Sequence, residues 1–407
     1  MEIRAVRADE LDELVDMMCA AYRPESRPRF TKHLHQDSSY ALHQSRVCVV
    51  DGRIVSYVRV SDRPIQIGKA VVRMGGVGGV STHPDYRHRG YSTAVLKDAI
   101  RYMEEQGYDL SMLFTGIQPF YARLGWVPFP EHTFSIALRG TRTFGDAYGV
   151  RAFEVERDIE GVIHVYNEHN RARTGTLVRS EQYWYDEHSR FMGVLPSLVA
   201  ERKGRIVAYV GGSHREDAAY IREVGYLDGH SEALRTLAHA VLRDAYAKGL
   251  KSVEGLLQRN HPMVEILSEE SGSPLSHSLS EGMMLRVINV QSLFERIAPE
   301  LEDRLAQEDR VASLPEVHTS FRMAVMGQVC GVEIEKGKVS VNSSGQGEMD
   351  LPLDARSFFK LILGDSSITQ LREWLSYRGI SLNAEGWDLL RVLFPVQEPI
   401  YWGCDHF

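Results

Sequence analysis

The sequence predicts a mixed α/β and α+β architecture in which one unit occurs twice and a smaller α+β segment follows. Three observations carry this expectation. The chain has 407 residues, which at roughly 150 residues per domain asks for two or three cores. Strand-like and helix-like patterns alternate along it. It also repeats itself once. Gly52-Arg53-Ile54-Val55-Ser56-Tyr57-Val58 recurs as Gly204-Arg205-Ile206-Val207-Ala208-Tyr209-Val210, and Ala94-Val95-Leu96-Lys97-Asp98-Ala99 recurs as Ala240-Val241-Leu242-Arg243-Asp244-Ala245. The offsets, 152 and 146 residues, are close and in the same order, as one duplicated unit with small length changes requires. The expected segments are therefore 1–145, 150–288 and 289–407.

Composition narrows the class. With 43% apolar and 25% charged residues, the chain is neither disordered, collagen-like nor a coiled coil. No apolar run reaches the ~18 residues of a membrane-spanning helix. Met1-Glu2-Ile3-Arg4 places charges where a signal peptide has its apolar core, so a cytoplasmic location is expected. Cys19, Cys48, Cys330 and Cys404 are scattered and read as free thiols, neither a disulfide framework nor a metal site. A net charge of -8 argues against nucleic acid as a partner and favours cationic small molecules.

In the first unit, Met1–Ala8 reads as a strand leading into a helix capped by Asp9, with Leu11, Leu14, Val15 and Met18 on one face. Arg46–Val50 and Ile54–Val60 form a hairpin around the Asp51-Gly52 turn. Ala70–Thr82 reads as one long strand carrying Gly75-Gly76 and Gly78-Gly79. Glycines inside a strand mark a bulge or a close approach to the backbone. Residues 90–106 follow as an amphipathic helix burying Val95, Leu96, Ala99, Ile100 and Met103, ended by Gly107. Leu110–Thr115 is a further strand, and Pro119 opens a short helix through Leu124.

The turn before the amphipathic helix reads Arg87-His88-Arg89-Gly90-Tyr91-Ser92. Backbone N–H groups at a helix N-terminus, approached past a glycine and flanked by arginines, suit a pyrophosphate. About 30 residues later comes Gln118-Pro119-Phe120-Tyr121-Ala122-Arg123-Leu124-Gly125-Trp126. Together the two motifs resemble those of the Gcn5-related N-acetyltransferase (GNAT) family, with Ser92 standing where the family has Gly or Ala. The resemblance implies acetyl-coenzyme A lying along Val80, Ser81 and Thr82. Its phosphates would sit at Arg87, His88, Arg89, Gly90, Tyr91, Ser92 and Thr93, with further contacts at Gly116 and Ile117. A backbone N–H near Val80 would polarise the thioester, and Tyr121 would protonate the leaving sulfur. Read without the resemblance, Tyr121 is a half-buried anchor of its short helix. His83 and His88 carry no assignment.

The repeat tests the second unit. It sets Ala233 opposite Arg87, Thr236 opposite Gly90, Ala238 opposite Ser92 and Val264 opposite Tyr121, so the second copy is expected to have lost the chemistry and kept a structural or substrate-shaping role. In the third segment, Val290–Leu305 reads as a helix interrupted by Pro299, Phe321–Val329 and Gly331–Ile334 to Lys338–Val341 as strands around Lys336-Gly337, and Asp354–Leu363 and Ile368–Leu375 as helices. The tail Pro399–Phe407 has three aromatic residues in its last seven, so it is expected to dock.

Two such units, the second degenerate, with an α+β segment ending in an aromatic residue resemble the enhanced-intracellular-survival (Eis) type acetyltransferases. That resemblance implies a sterol-carrier-like third domain, the Phe407 carboxylate as general base, amine substrates including aminoglycosides, and a hexamer. The expected activity is transfer of an acetyl group from acetyl-CoA to primary amines of aminoglycoside- or polyamine-like molecules by direct attack in a ternary complex, with no metal. Protein lysine is the enzymatic alternative, and a lipid or sterol carrier sensing acyl-CoA the non-enzymatic one.

Overall fold

A computed structural model describes residues 1–140, 144, 149–307, 318–377, 379–380 and 382–407. It divides into two compact units: Met1–Phe129 with Gly282–Gln397 and Phe407, and Pro130–Glu281 with Glu398–His406. This cuts the chain differently from the expected segments 1–145, 150–288 and 289–407, and the sheets show why.

The first unit holds a seven-stranded sheet in the order Glu2–Ala5, Ser45–Val50, Arg53–Asp62, Met74–Thr82, Leu110–Phe114, Met283–Val287, Val127–Pro128. The second holds another, in the order Val150–Ala152, Leu198–Arg202, Arg205–Arg215, Ala218–Tyr226, Ser252–Leu256, Glu131–Ala137, Leu275–Ser280. In each sheet the sixth position is filled from the other side of the expected boundary: Met283–Val287 pairs antiparallel with Leu110–Phe114, and Glu131–Ala137 with Ser252–Leu256. Strand pairing is non-local, so residues beyond a sequence repeat can complete either sheet.

Both hairpins predicted by the repeat form, with Asp51-Gly52 and Lys203-Gly204 at positive φ, the conformation that a tight two-residue turn needs. The amphipathic helix runs Tyr91–Glu105 and buries all five expected residues. Its counterpart is Glu232–Ala247. Three local expectations change. Asp9 caps nothing: a 3-10 turn Ala8–Glu10 precedes the helix Leu11–Ala21, and Glu10 holds Arg4 instead. Ala70–Thr82 is two strands, because Ala70–Val72 folds back on Ile65–Ile67 as a separate hairpin. Phe321–Val329 breaks at a Met326-Gly327 turn with positive φ, giving His318–Val325 and Gln328–Glu335.

Gly282–Gln397 contributes a four-stranded sheet, Lys338–Asn342, Gln328–Glu335, His318–Val325 and Met349–Pro352. Helix Val290–Gln307 packs on it and runs through Pro299 without interruption. The helices Ala355–Leu363, Ile368–Tyr377 and Ala384–Leu393 complete this part, and the last of them had no reading in the sequence.

Candidate active site

The strand Met74–Thr82 organises the site. Tyr57 pairs with Ser81 and Arg59 with Gly78, so Gly79 and Val80 stand against the single residue Val58. This bulge needs Gly79, whose φ is +64° and whose Cβ would meet the Tyr57 ring at 2.8 Å. On its other edge the strand pairs in parallel with Leu110–Phe114 only as far as Gly76–Met112. Past that point both strands continue unpaired with each other, opening a wedge whose wall is the backbone of Val77–Thr82.

Phe407 lies at the narrow end. A Cβ on Gly76 would fall 2.7 Å from the Phe407 ring, and one on Gly78 would fall 3.3 Å from the Phe407 carboxyl carbon. The Phe407 ring meets Phe114 edge-on, with centroids 5.5 Å apart. The glycines flagged in the sequence are therefore places of close approach: Phe407 approaches Gly76 and Gly78, Met103 approaches Gly75, and Tyr57 approaches Gly79.

At the wide end the strand leads to Gly90, the N-cap of Tyr91–Glu105, at φ +81°. The first intrahelical bond is Ala94 N–H to Gly90 O, 3.0 Å, which leaves the N–H groups of Tyr91, Ser92 and Thr93 for an external acceptor. Arg87, His88, Arg89 and Gly90 are exposed. Arg87 is already engaged, donating to Ala21 O at 2.9 Å and Thr82 O at 3.4 Å. It ties the loop to the end of the first helix, and its charge reaches a phosphate only as a partly satisfied cation. Arg89 lies over the Tyr86 ring. An anion on three helix N–H groups beside two arginines fits this arrangement.

Tyr121 sits in the helix Gln118–Ala122, buried, edge-on to Phe120 and Trp126. Burial, with a small electrostatic push from Tyr22, raises its hydroxyl to about 12, and it makes no hydrogen bond among the described residues. Gly116 and Ile117 form the turn before this helix, with Ile117 largely exposed. Sequence reading passed over Tyr22, whose hydroxyl donates to Val80 O at 2.9 Å. Its only signal was its place at the end of an amphipathic helix.

The second sheet has the same wedge, since Ala218–Tyr226 pairs with Ser252–Leu256 only as far as Ile221–Gly255. There the tail fills it: Gly403 N–H donates to Arg222 O at 3.3 Å, Cys404 Sγ to Glu223 at 2.8 Å, and Gln258 to Glu398 O at 3.1 Å. Arg179, fully buried, bonds both Asp405 oxygens at 2.8–2.9 Å and also Glu223. Among the described residues Glu223, Cys404 and Asp405 also form a group of potential metal ligands, but the Arg179 guanidinium already occupies their centre. The helix start differs as well. Glu232–Ala247 begins well before Thr236, whose hydroxyl bonds back to Glu232 O at 3.1 Å inside the helix. Val264 is buried in Pro262–Ser271.

Residues 2–129 match the acetyltransferase (GNAT) domain family. The chain carries a GNAT acetyltransferase domain. Over 262 residues it is 25% identical to N-acetyltransferase Eis of Mycobacterium tuberculosis, covering 56% of this chain and 58% of that one. It is 28% identical over 141 residues to an uncharacterized N-acetyltransferase of Methanocaldococcus jannaschii, covering 30% of this chain and 59% of that one. The chain thus spans under two thirds of the length of these curated relatives. Among solved structures, a probable N-acyltransferase of unknown function from Enterococcus faecalis shares the fold over 100% of this chain and 99% of that one, with TM-score 0.75 and 19% identity. Eis1 from Mycobacterium abscessus does so over 100% of both chains, with TM-score 0.64 and 14% identity. The GNAT domain thus sits in a chain whose relatives by sequence and by fold include Eis-type proteins.

Proposed function

We propose that the chain is an N-acetyltransferase that moves the acetyl group of acetyl-CoA to primary amines of small polycations, aminoglycoside- or polyamine-like, in a ternary complex. The observation that carries this reading is the Phe407 carboxyl group against Gly78, on the bulged strand that leads to the Gly90 cradle.

Val80, Ser81 and Thr82 would hold the substrate's thioester arm, and the N–H groups of Tyr91–Thr93 its phosphates. An α-carboxylate is ionised at neutral pH, so Phe407 both attracts a cationic amine and accepts its proton, directly or through water. The amine nitrogen then bonds to the thioester carbonyl carbon, whose oxygen is stabilised by a backbone N–H near Val80. The C–S bond breaks, Tyr121 gives its proton to the sulfur, and the proton left over on the nitrogen returns to the Tyr121 phenolate, directly or through water. A phenol raised to about 12 stays protonated across the neutral range, as a donor must.

Within the same reading the second unit is a degenerate copy, supported by its matching strand order and hairpin. The α+β part of residues 289–407 is sterol-carrier-like, and the protein works in the cytoplasm as a homo-oligomer, a hexamer by family resemblance. The test is thiol release from acetyl-CoA with a panel of polyamines and aminoglycosides. Release that depends on the amine is expected; none with any amine overturns the reading. In the same assay, two glycines appended after Phe407 keep every side chain and move the charge. Turnover should fall at least tenfold with thermal stability unchanged, and full activity would return the search for the base to the histidines.

A further inference from the structure

We propose that the ring of Phe407, as distinct from its carboxylate, limits the acyl group to about two carbons. The inference rests on the acyltransferase reading above and names the donor class of that same site.

The ring lies on bare backbone. Its Cζ, Cε1 and Cε2 atoms are 2.7–2.8 Å from where a Gly76 Cβ would stand, and its Cδ2 is 3.6 Å from the corresponding point on Gly78. It therefore covers the strand from Gly76 to Gly78. Phe114, the last residue of the neighbouring strand, meets it edge-on at 5.5 Å, at the point where the pairing of the two strands has ended. The two rings close the narrow end of the wedge.

Direction follows from the order of the parts. The phosphate cradle lies beyond Thr82, so a thioester anchored there reaches Val80 with its acyl group pointing on toward Gly78. A regular strand rises about 3.3 Å per residue, but the Gly79 bulge sets the three steps from Gly78 to Ser81 against two on the partner strand, so the Gly78 end of the ring stands only about 5 Å from Val80. Carbon atoms keep about 3.5 Å apart, which leaves some 1.5 Å ahead of the carbonyl carbon. At about 1.5 Å per carbon–carbon bond, that is room for one further carbon. Acetyl fits; hexanoyl runs into the ring.

The experiment compares kcat/KM for acetyl-, propionyl- and hexanoyl-CoA with one amine, in the wild type, Phe407→Ala and Phe114→Ala. The wild type should favour acetyl over hexanoyl by at least about a hundredfold, since each misplaced methylene is worth roughly 10- to 200-fold. Phe407→Ala, which keeps a terminal carboxylate, should raise the hexanoyl-to-acetyl ratio at least tenfold. Phe114→Ala, which leaves the terminus untouched, should raise it in the same direction by less. A ring that merely packs lowers all donors alike, so an unchanged ratio in both variants overturns the inference while acyl transfer stands. Equal use of hexanoyl and acetyl by the wild type overturns it as well. Absence of transfer from every donor removes the acyltransferase reading and this inference with it.

Discussion

At Tyr121, burial and chemistry pull in opposite directions. Desolvation weakens the phenol as an acid and also keeps it protonated where a solvated tyrosine begins to ionise. Its ring, edge-on to Phe120 and Trp126, is enough to explain an aromatic residue here but not a hydroxyl with no hydrogen-bond partner among the described residues. Tyr121→Phe keeps the ring, so stability and acetyl-CoA binding should hold while kcat falls about a hundred- to ten-thousandfold. A kcat within about twofold of wild type would leave Tyr121 as an anchor. Because the group titrates near 12, wild-type kcat should not drop as pH passes about 10, the ordinary tyrosine value. A loss of kcat centred there would place the working hydroxyl in water.

At the scale of the element, the two units use one helix position differently. Gln118 opens the short helix that carries Tyr121, whereas His261 caps the ten-residue Pro262–Ser271 by accepting from Met263 N–H at Nδ1, 3.1 Å. Burial and the nearby Arg173 push His261 down to about 3, so the native ring stays neutral where the unfolded one takes a proton. The sign follows directly. Above about 6.5 both states are neutral and nothing is lost; as pH falls from there toward 3, the unfolded state binds the proton first and stability declines, by about 1.4 kcal/mol per pH unit. His261→Asn keeps a good cap and removes the titration. Denaturant unfolding at pH 7 and pH 5 should show the variant losing about 2 kcal/mol less than wild type between the two. Equal losses would mean that His261 titrates normally in the fold.

At the scale of the molecule, the proposed function implies one acetyl-CoA site per chain. The second sheet opens in the same wedge, but the tail residues 398–406 lie in it, held by the buried Arg179–Asp405–Glu223 network, and its helix begins too early to leave a cradle. Calorimetry should count one acetyl-CoA per chain. Gly90→Val forces a branched side chain into φ +81° and should raise the dissociation constant at least tenfold, while Thr236→Val at the matching place should leave it unchanged. Two equivalent sites, or an unaffected Gly90→Val, would refute this account.

The sequence by itself determined what is local. The Asp51-Gly52 turn, the helix face of Val95, Leu96, Ala99, Ile100 and Met103, and the helix start at Gly90 depend on backbone conformation and periodicity within a few residues, and each stands in the structure where the pattern put it. The duplicated hairpin was legible for the same reason. Only the tertiary structure decided what depends on distant partners. The sixth strand of each sheet comes from beyond the expected boundary, because a strand takes whichever open edge the fold presents. Gly76 and Gly78 announced a close approach without saying by what; motif resemblance named the Phe407 carboxylate, but the contact joins residues about 330 positions apart, and no local pattern encodes it. That the tail would dock was readable from its aromatics. That it would fill the second wedge was not, since Arg179 and Asp405 stand 226 positions apart and their pair exists only once the chain between them has folded to exclude water from both charges.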